Sequence, residues 1–202
     1  MPRPRTDIQP RLVKAARARF LADGVDGASV RAIARDAKTS LGMVTYYFPS
    51  KDELFLAVVE EHYGPLVEDL ERALDPAVPV AARVERLFTR IGAMSPDEQV
   101  TMRLLVRELF TSSTRREKIL PRFLRGHIGL ILKLATDGAG DGTFAALPPA
   151  LIALATVGVG FFPQLVVKTV GPAAAGAIGL PAETDLPRLL AEVLLRGVSN
   201  RH

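Results

Sequence analysis

The 202-residue chain has no cysteine, which excludes disulfides and thiolate metal sites. Its three histidines, His62, His127 and His202, are isolated from one another, so no pair has metal-ligand spacing. There is no nucleophile elbow, Walker motif or glycine fingerprint, and the sequence implies no catalytic residue, metal or cofactor. The segment Asp137 to Thr143, DGAGDGT, resembles a calcium loop only superficially, since it lacks the further acids and the closing Glu. The N-terminus lacks the apolar core of a signal peptide, so a cytoplasmic protein is expected.

Charge is missing from one long stretch. Phe144 to Val167 carries none, and Lys168 is the only charge from Gly142 to Ala182. A run of this length raises the reading of a membrane-spanning helix. Pro148, Pro149 and Pro163 interrupt it and Gly158 and Gly160 loosen it, which favours a packed or partner-facing helix. No membrane partner is expected.

The charge that is present is uneven. Met1 to Lys51 carries ten Lys and Arg against four Asp and Glu, while the remainder carries 16 against 18. The basic excess therefore lies in the first quarter of the chain, as a nucleic-acid face requires. A basic membrane-surface segment competes with this reading. It needs bulky apolar side chains opposite the charges, and here that face is needed for packing.

Within this basic quarter, Ser29 to Asp52 reads SVRAIARDAKTSLGMVTYYFPSKD. Val30, Ile33, Ala34 and Ala37 share one face of a helix, with Ser29 as its N-cap. Lys38, Thr39 and Ser40 supply a turn. Leu41 to Phe48 forms a second helix with Leu41, Val44 and Phe48 inward. Gly42, Met43, Thr45 and Tyr46 are outward, with Tyr47 at the margin. Such a short helix, held on a small core with its other face free, suits major-groove reading. Pro49 ends it, and Ser50-Lys51-Asp52-Glu53 is a capping box for the next helix. Met43, Thr45 and Tyr46 are the base-edge or groove-wall candidates. Tyr47 and Lys51 are the candidates for phosphate contacts, Lys51 standing at a helix N-terminus, with a solvated surface side chain as the simpler use of each. Ser29 and Arg31 are placed to hold the opposite phosphate backbone. Arg3 and Arg5, in the proline-containing MPRPR arm, either reach DNA or belong to a solvated tail.

The run from Ala16 to Val59, with the Phe20-to-Gly24 helix end, the S-V-R-x-I-A stretch and Y-Y-F-P-S-K-D-E-L, resembles the N-terminal domain of TetR-type transcriptional regulators. The resemblance covers roughly residues 9 to 60. It implies an all-α, nine-helix architecture: a three-helix DNA-binding domain over residues 1–50 and a helical effector-binding and dimerisation domain over 51–202. It also implies a homodimeric repressor on a pseudo-palindromic operator, released by a small, largely apolar effector. The family's last two helices pair with those of a second subunit, which makes Leu186, Leu190 and Leu194 the expected dimer contacts. The sequence departs from the family at Lys38, where Gly is usual. If that turn needs a positive φ, lysine costs about 1 kcal/mol relative to glycine. Thr45 stands where the family often has Tyr, and Leu41 and Met43 where it often has small, polar or basic residues.

The remaining helices are read from apolar spacing and caps. They are Thr6 to Asp23, ended by Gly24; Lys51 to Tyr63, extending toward Leu74 with a kink or break at Pro65; Val80 to Met94; Pro96 to Phe110; Ile119 to Thr136; Pro149 to Val170; and a ninth from Thr184 or Asp185 to near Gly197. Gly171 to Thr184 is expected to be a connection. Effector contacts are sought among Met102, Leu105, Phe110, Phe123, His127, Phe161, Phe162 and Gln164, for most of which core packing is the simpler use. Arg107 either anchors an acidic ligand or pairs with a neighbouring acid. Besides the regulator, two other readings are open: a membrane-tethered or architectural DNA-binding protein, and a small-molecule enzyme.

Overall fold

The computed structural model describes residues 7–198. Within them the chain forms eleven α-helices: α1 (Ile8–Gly27), α2 (Val30–Asp36), α3 (Leu41–Tyr47), α4 (Lys51–Ala73), α5 (Val80–Gly92), α6 (Pro96–Thr111), α7 (Ser113–Arg125), α8 (His127–Gly140), α9 (Pro149–Val170), α10 (Pro172–Ala177) and α11 (Leu186–Val198). Arg3, Arg5 and His202 lie outside the described residues.

The all-α expectation holds, with two helices more than the nine anticipated. The first difference lies at Gly126, whose backbone leaves the helical region (φ −93°, ψ −127°) and splits the expected Ile119–Thr136 helix into α7 and α8. Gly129 permits this break. A Cβ there would lie 2.6 Å from the Leu124 carbonyl oxygen, closer than any side chain tolerates. The second difference is α10, in the Ala/Gly-rich connection, which starts on Pro172 as its first helical residue. Pro65 does not break α4, which continues to Ala73.

The residues group into two compact units. One contains the chain up to Pro65 together with Pro96–Leu120; the other contains Leu66–Ser95 and the chain from Pro121 onward.

In the first unit, Leu12, Val13, Ala16 and Phe20 form the buried stripe of α1. Ile33 and Ala34 of α2, Val44 of α3, and Leu54, Phe55, Val58 and Val59 of α4 are likewise buried, and α2 packs against both α1 and α3. Phe20 and Phe55 meet edge to face with centroids 6.2 Å apart. Gly24 interrupts α1 at φ +74°, as its place at the expected helix end requires. The guanidinium of Arg107 lies over it, so that a Cβ at Gly24 would meet Nη2 at 2.8 Å. Covering Gly24 is the observed use of Arg107.

In the second unit, α9 packs against α5, α8 and α11. The Gly160 backbone lies directly against the Phe88 ring, where a Cβ would come within 2.0 Å of Cε1. Gln164, one turn further along α9, is buried and donates from Nε2 to the carbonyls of Phe88 (3.1 Å) and Gly160 (2.5 Å). Arg83 donates to Asp137 at 2.7 Å, which holds that carboxyl below the usual carboxylate range. By length and composition α9 is apolar enough to cross a membrane, and about two thirds of its residues are not buried in the chain. Its exposed residues form one stripe, with Leu151, Leu154, Gly158 and Phe162 at helical spacing.

Candidate nucleic-acid interface

Two serines set the helix-turn-helix. The Ser29 hydroxyl accepts from the Ala32 N–H at 3.4 Å and starts α2; the Ser40 hydroxyl accepts from the Met43 N–H at 3.3 Å and starts α3. Between them the chain reverses through a Schellman turn. The Thr39 N–H donates to the Ala34 carbonyl and the Lys38 N–H to the Arg35 carbonyl, both at 3.0 Å. That geometry demands a left-handed residue at position 38, and Lys38 supplies it at φ +53°. Among the described residues it is the only non-glycine with positive φ.

Helix α3 buries one residue, Val44, while Phe48 closes its C-terminus against the core. The rest of its surface is open. Thr45 and Tyr46 are exposed, Tyr46 to 77 %, and Met43 and Tyr47 are half-buried. Tyr47 braces Tyr46 edge to face at 5.3 Å, which limits the freedom of the more exposed ring. Thr45 donates its hydroxyl proton to the Leu41 carbonyl at 3.3 Å. Toward DNA it therefore offers a methyl group and an oxygen acceptor rather than a donor. Leu41, expected to face inward, is 42 % exposed and belongs to the outer face.

Ser50 caps α4 by accepting from the Glu53 N–H at 3.1 Å. Lys51 follows it, partly buried, with Nζ donating to the Asp26 carbonyl at 2.8 Å. Two ammonium protons are left for an anion. Thr45, Ser50 and Lys51 line a crevice of about 150 Å³ with Val30. The structure thus brings the start of α2, the side of α3 and the start of α4 to one face. Ser29 and Arg31 stand exposed at the first of these.

Sequence reasoning missed the group that holds this face in place. Arg115 of α7 is buried, and its guanidinium donates to three carboxylates. Nη1 and Nη2 hold Asp26 at 2.9 and 2.7 Å, Nε holds Glu108 at 2.6 Å, and Nη1 also reaches Asp52 at 3.4 Å. Lys118 donates to the other oxygen of Asp52 at 3.1 Å. Asp26 precedes α2 and Asp52 follows α3, so one arginine secures both ends of the helix-turn-helix. The arginine holds the Asp26 carboxyl below the usual range, and the carboxylates raise the Arg115 pKa.

The family description "Bacterial regulatory proteins, tetR family" matches residues 12–58, the segment that forms this face. Residues 12–58 are thus similar to the N-terminal, DNA-binding segment of that family. The chain is 33% identical over 96 residues to the HTH-type nicotine-responsive transcriptional repressor HdnoR of Paenarthrobacter nicotinovorans, covering 48% of this chain and 50% of that protein. It is 33% identical over 103 residues to the HTH-type transcriptional dual regulator CecR of Shigella flexneri, with 45% and 46% covered. The chain thus spans about half the length of these curated relatives. Among solved structures it is similar to a TetR-like transcriptional regulator from Rhodococcus sp. RHA1 (TM-score 0.70, 25% identity, 96% of this chain and 97% of that one). The fold of FadR from Bacillus subtilis, solved in complex with stearoyl-CoA, is also similar (TM-score 0.74, 18% identity, 94% and 98% covered).

The candidate residues for effector contact divide between the two units. Met102 and Leu105 are core residues of the first, and Phe110 on the same helix is 78 % exposed. In the second, Phe123 is buried and meets the His127 ring edge to face at 4.7 Å. Burial pushes the His127 imidazole down to about 4, so it is neutral at pH 7. Phe161 is half-buried, Phe162 is exposed, and the Gln164 amide is engaged with backbone carbonyls.

The expected dimer residues also change. Leu186 and Leu194 point into their own chain, at 4 % and 2 % exposure. Leu186 clusters with Val167 and Ala175, and Leu190 packs partly against that cluster. They are not the outward leucines the sequence suggested. Among the described residues, the large apolar side chains that α9 and α11 leave exposed are Leu151, Leu154, Phe162, Val170 and Val193.

Proposed function

We propose that this chain is a ligand-responsive transcriptional repressor of the TetR family that binds a pseudo-palindromic operator as a homodimer in the cytoplasm. The observation that carries the reading is the open face of α3. It is a seven-residue helix capped by Ser40, anchored by Val44 and Phe48, and otherwise free of the core. Residues 1–50 form the DNA-binding domain in this reading. Met43, Thr45 and Tyr46 meet base edges, Tyr47 and Lys51 hold one phosphate strand, and Ser29 and Arg31 hold the other. Residues 51–202 bind the effector and dimerise. The exposed stripe of α9, with Val193 of α11, is the surface that supports a twofold contact. The effector is a small, largely apolar molecule. The stearoyl-CoA bound by FadR, a protein of similar fold, supports that class. An effector that binds better to the state unable to span two half-sites lowers DNA affinity by its differential affinity for the two states. Family and sequence both favour a regulator over an enzyme.

The test is selection of binding sites from a random duplex pool at roughly 0.15 M salt, where nonspecific phosphate contacts are weakened. Recovery of an inverted repeat with half-sites about one helical turn apart supports the reading. No enrichment by folded, dimeric protein counts against it.

A further inference from the structure

A lysine occupies the one position of the helix-turn-helix where the backbone calls for glycine. Lys38 is the C′ residue of the Schellman turn, at φ +53°, and its side chain is exposed. A left-handed non-glycine residue is strained, and strain kept in place points to a use for the side chain. Lys38 lines a groove of about 350 Å³ between α1 and the end of α2, together with Arg11, Lys14 and Asp36, over a floor that includes Ala15 and Ala18.

The charge in this groove is positive and available. Arg19 donates to Asp36 at 2.7 Å and Arg35 pairs with the same carboxylate, so the acid of the groove is neutralised by arginines. Arg11 is engaged structurally: Nη1 donates to the Ala37 carbonyl at 3.0 Å, pinning the turn to α1, and Nε donates to the Asp7 carbonyl. Lys14 and Lys38 are both exposed, and neither forms an ion pair among the described residues. The position fits a nucleic acid. Lys38 lies two residues before Ser40, the cap of α3. In helix-turn-helix docking the N-terminal residues of that helix contact the base edges, so the residues just upstream lie at the groove lip, where the phosphates run.

We propose that Lys38 and Lys14 bind the phosphate backbone of duplex DNA in this groove, a contact beside those of Tyr47 and Lys51. The inference rests on the DNA-binding reading above. Glycine at position 38 would give the better turn, and the lysine is retained for its charge. The contact positions the protein on any sequence and does not choose the sequence.

The experiment measures affinity for the selected duplex between 50 and 200 mM salt for the wild type, Lys38→Gly, Lys38→Arg and Lys14→Ala. Lys38→Gly relieves the backbone, so it is expected to fold and to melt higher than wild type. Its salt slope should fall by about 1.8, about 0.9 for each subunit of the bound dimer, so that it loses about 12-fold less affinity than wild type over that range. Lys14→Ala should show the same reduction, and Lys38→Arg should keep the wild-type slope. The motif recovered by selection should be unchanged in all three. A wild-type slope in Lys38→Gly would overturn the contact while leaving the DNA-binding reading standing. Failure of the wild type to bind duplex would remove both.

Discussion

Arg115 grips Asp26 with two parallel hydrogen bonds, Nη1 to Oδ1 at 2.9 Å and Nη2 to Oδ2 at 2.7 Å, across 89 residues of sequence. The fork matches the carboxylate in its plane, the strongest form of such a pair. The same guanidinium holds Glu108, whose side chain is 3 % exposed. The two acids differ in consequence. Asp26 is exposed and would return to water if the arginine were lost, whereas Glu108 would be left as a buried charge.

That difference sets the first prediction. Arg115→Met should destabilise the protein by about 3 kcal/mol, chiefly through the unpaired Glu108. Arg115→Met with Glu108→Leu should recover most of the loss, because the buried charge is then gone as well. Urea unfolding of the two variants checks the order. If both lose the same amount, Glu108 is not where the cost arises.

The second prediction concerns pH. His127 is held neutral by burial, its pKa at about 4 against an unfolded value of about 6.5. Between those values the unfolded chain takes up a proton that the folded chain refuses, so stability falls as pH drops from about 6.5 toward 4 and levels off below it. At pH 5 the loss from this group is about 2 kcal/mol. His127→Gln should lack that component. The check is the difference in unfolding free energy between pH 7 and pH 5 for the two proteins; an equal difference would show that His127 does not titrate in this way.

The third prediction separates the apolar surface from the apolar core. Leu154 is 69 % exposed on α9, whereas Leu194 is 2 % exposed on α11. Leu154→Glu should give a folded protein that sediments as a monomer. Leu194→Glu should instead lower stability, because it places a charge in the core. A folded Leu154→Glu protein that remains dimeric would move the interface away from α9.

The sequence made some of these features readable and hid others, for physical reasons. Ser29, Ser40 and Ser50 cap their helices, and a cap is a local bond over three residues. The left-handed turn at Lys38 is equally local, since the turn fixes its φ whatever the side chain. Leu186 and Leu194 were misread because Leu186, Leu189, Leu190, Val193 and Leu194 cover more than one face of α11. Spacing does not say which face meets the subunit's own core. The break at Gly126 was hidden because the apolar rhythm from Ile119 to Ala135 runs across it. Arg115 could not be found at all: Asp26 and Asp52 are 89 and 63 residues away, and it stands in a polar run beside Arg116 and Lys118.

The central claim is that the open face of α3 reads base sequence. The direct test is selection from one random duplex pool by wild-type protein and by Tyr46→Ala in parallel. Tyr46 is 77 % exposed and contributes nothing to the core, so the variant should remain folded. The wild type should recover an inverted repeat, and Tyr46→Ala should recover an altered or relaxed version of it at the positions the ring contacts. Recovery of the same motif in the same rank order by both proteins would contradict the assignment of Tyr46 to base reading, and no enriched motif from either would contradict the claim itself.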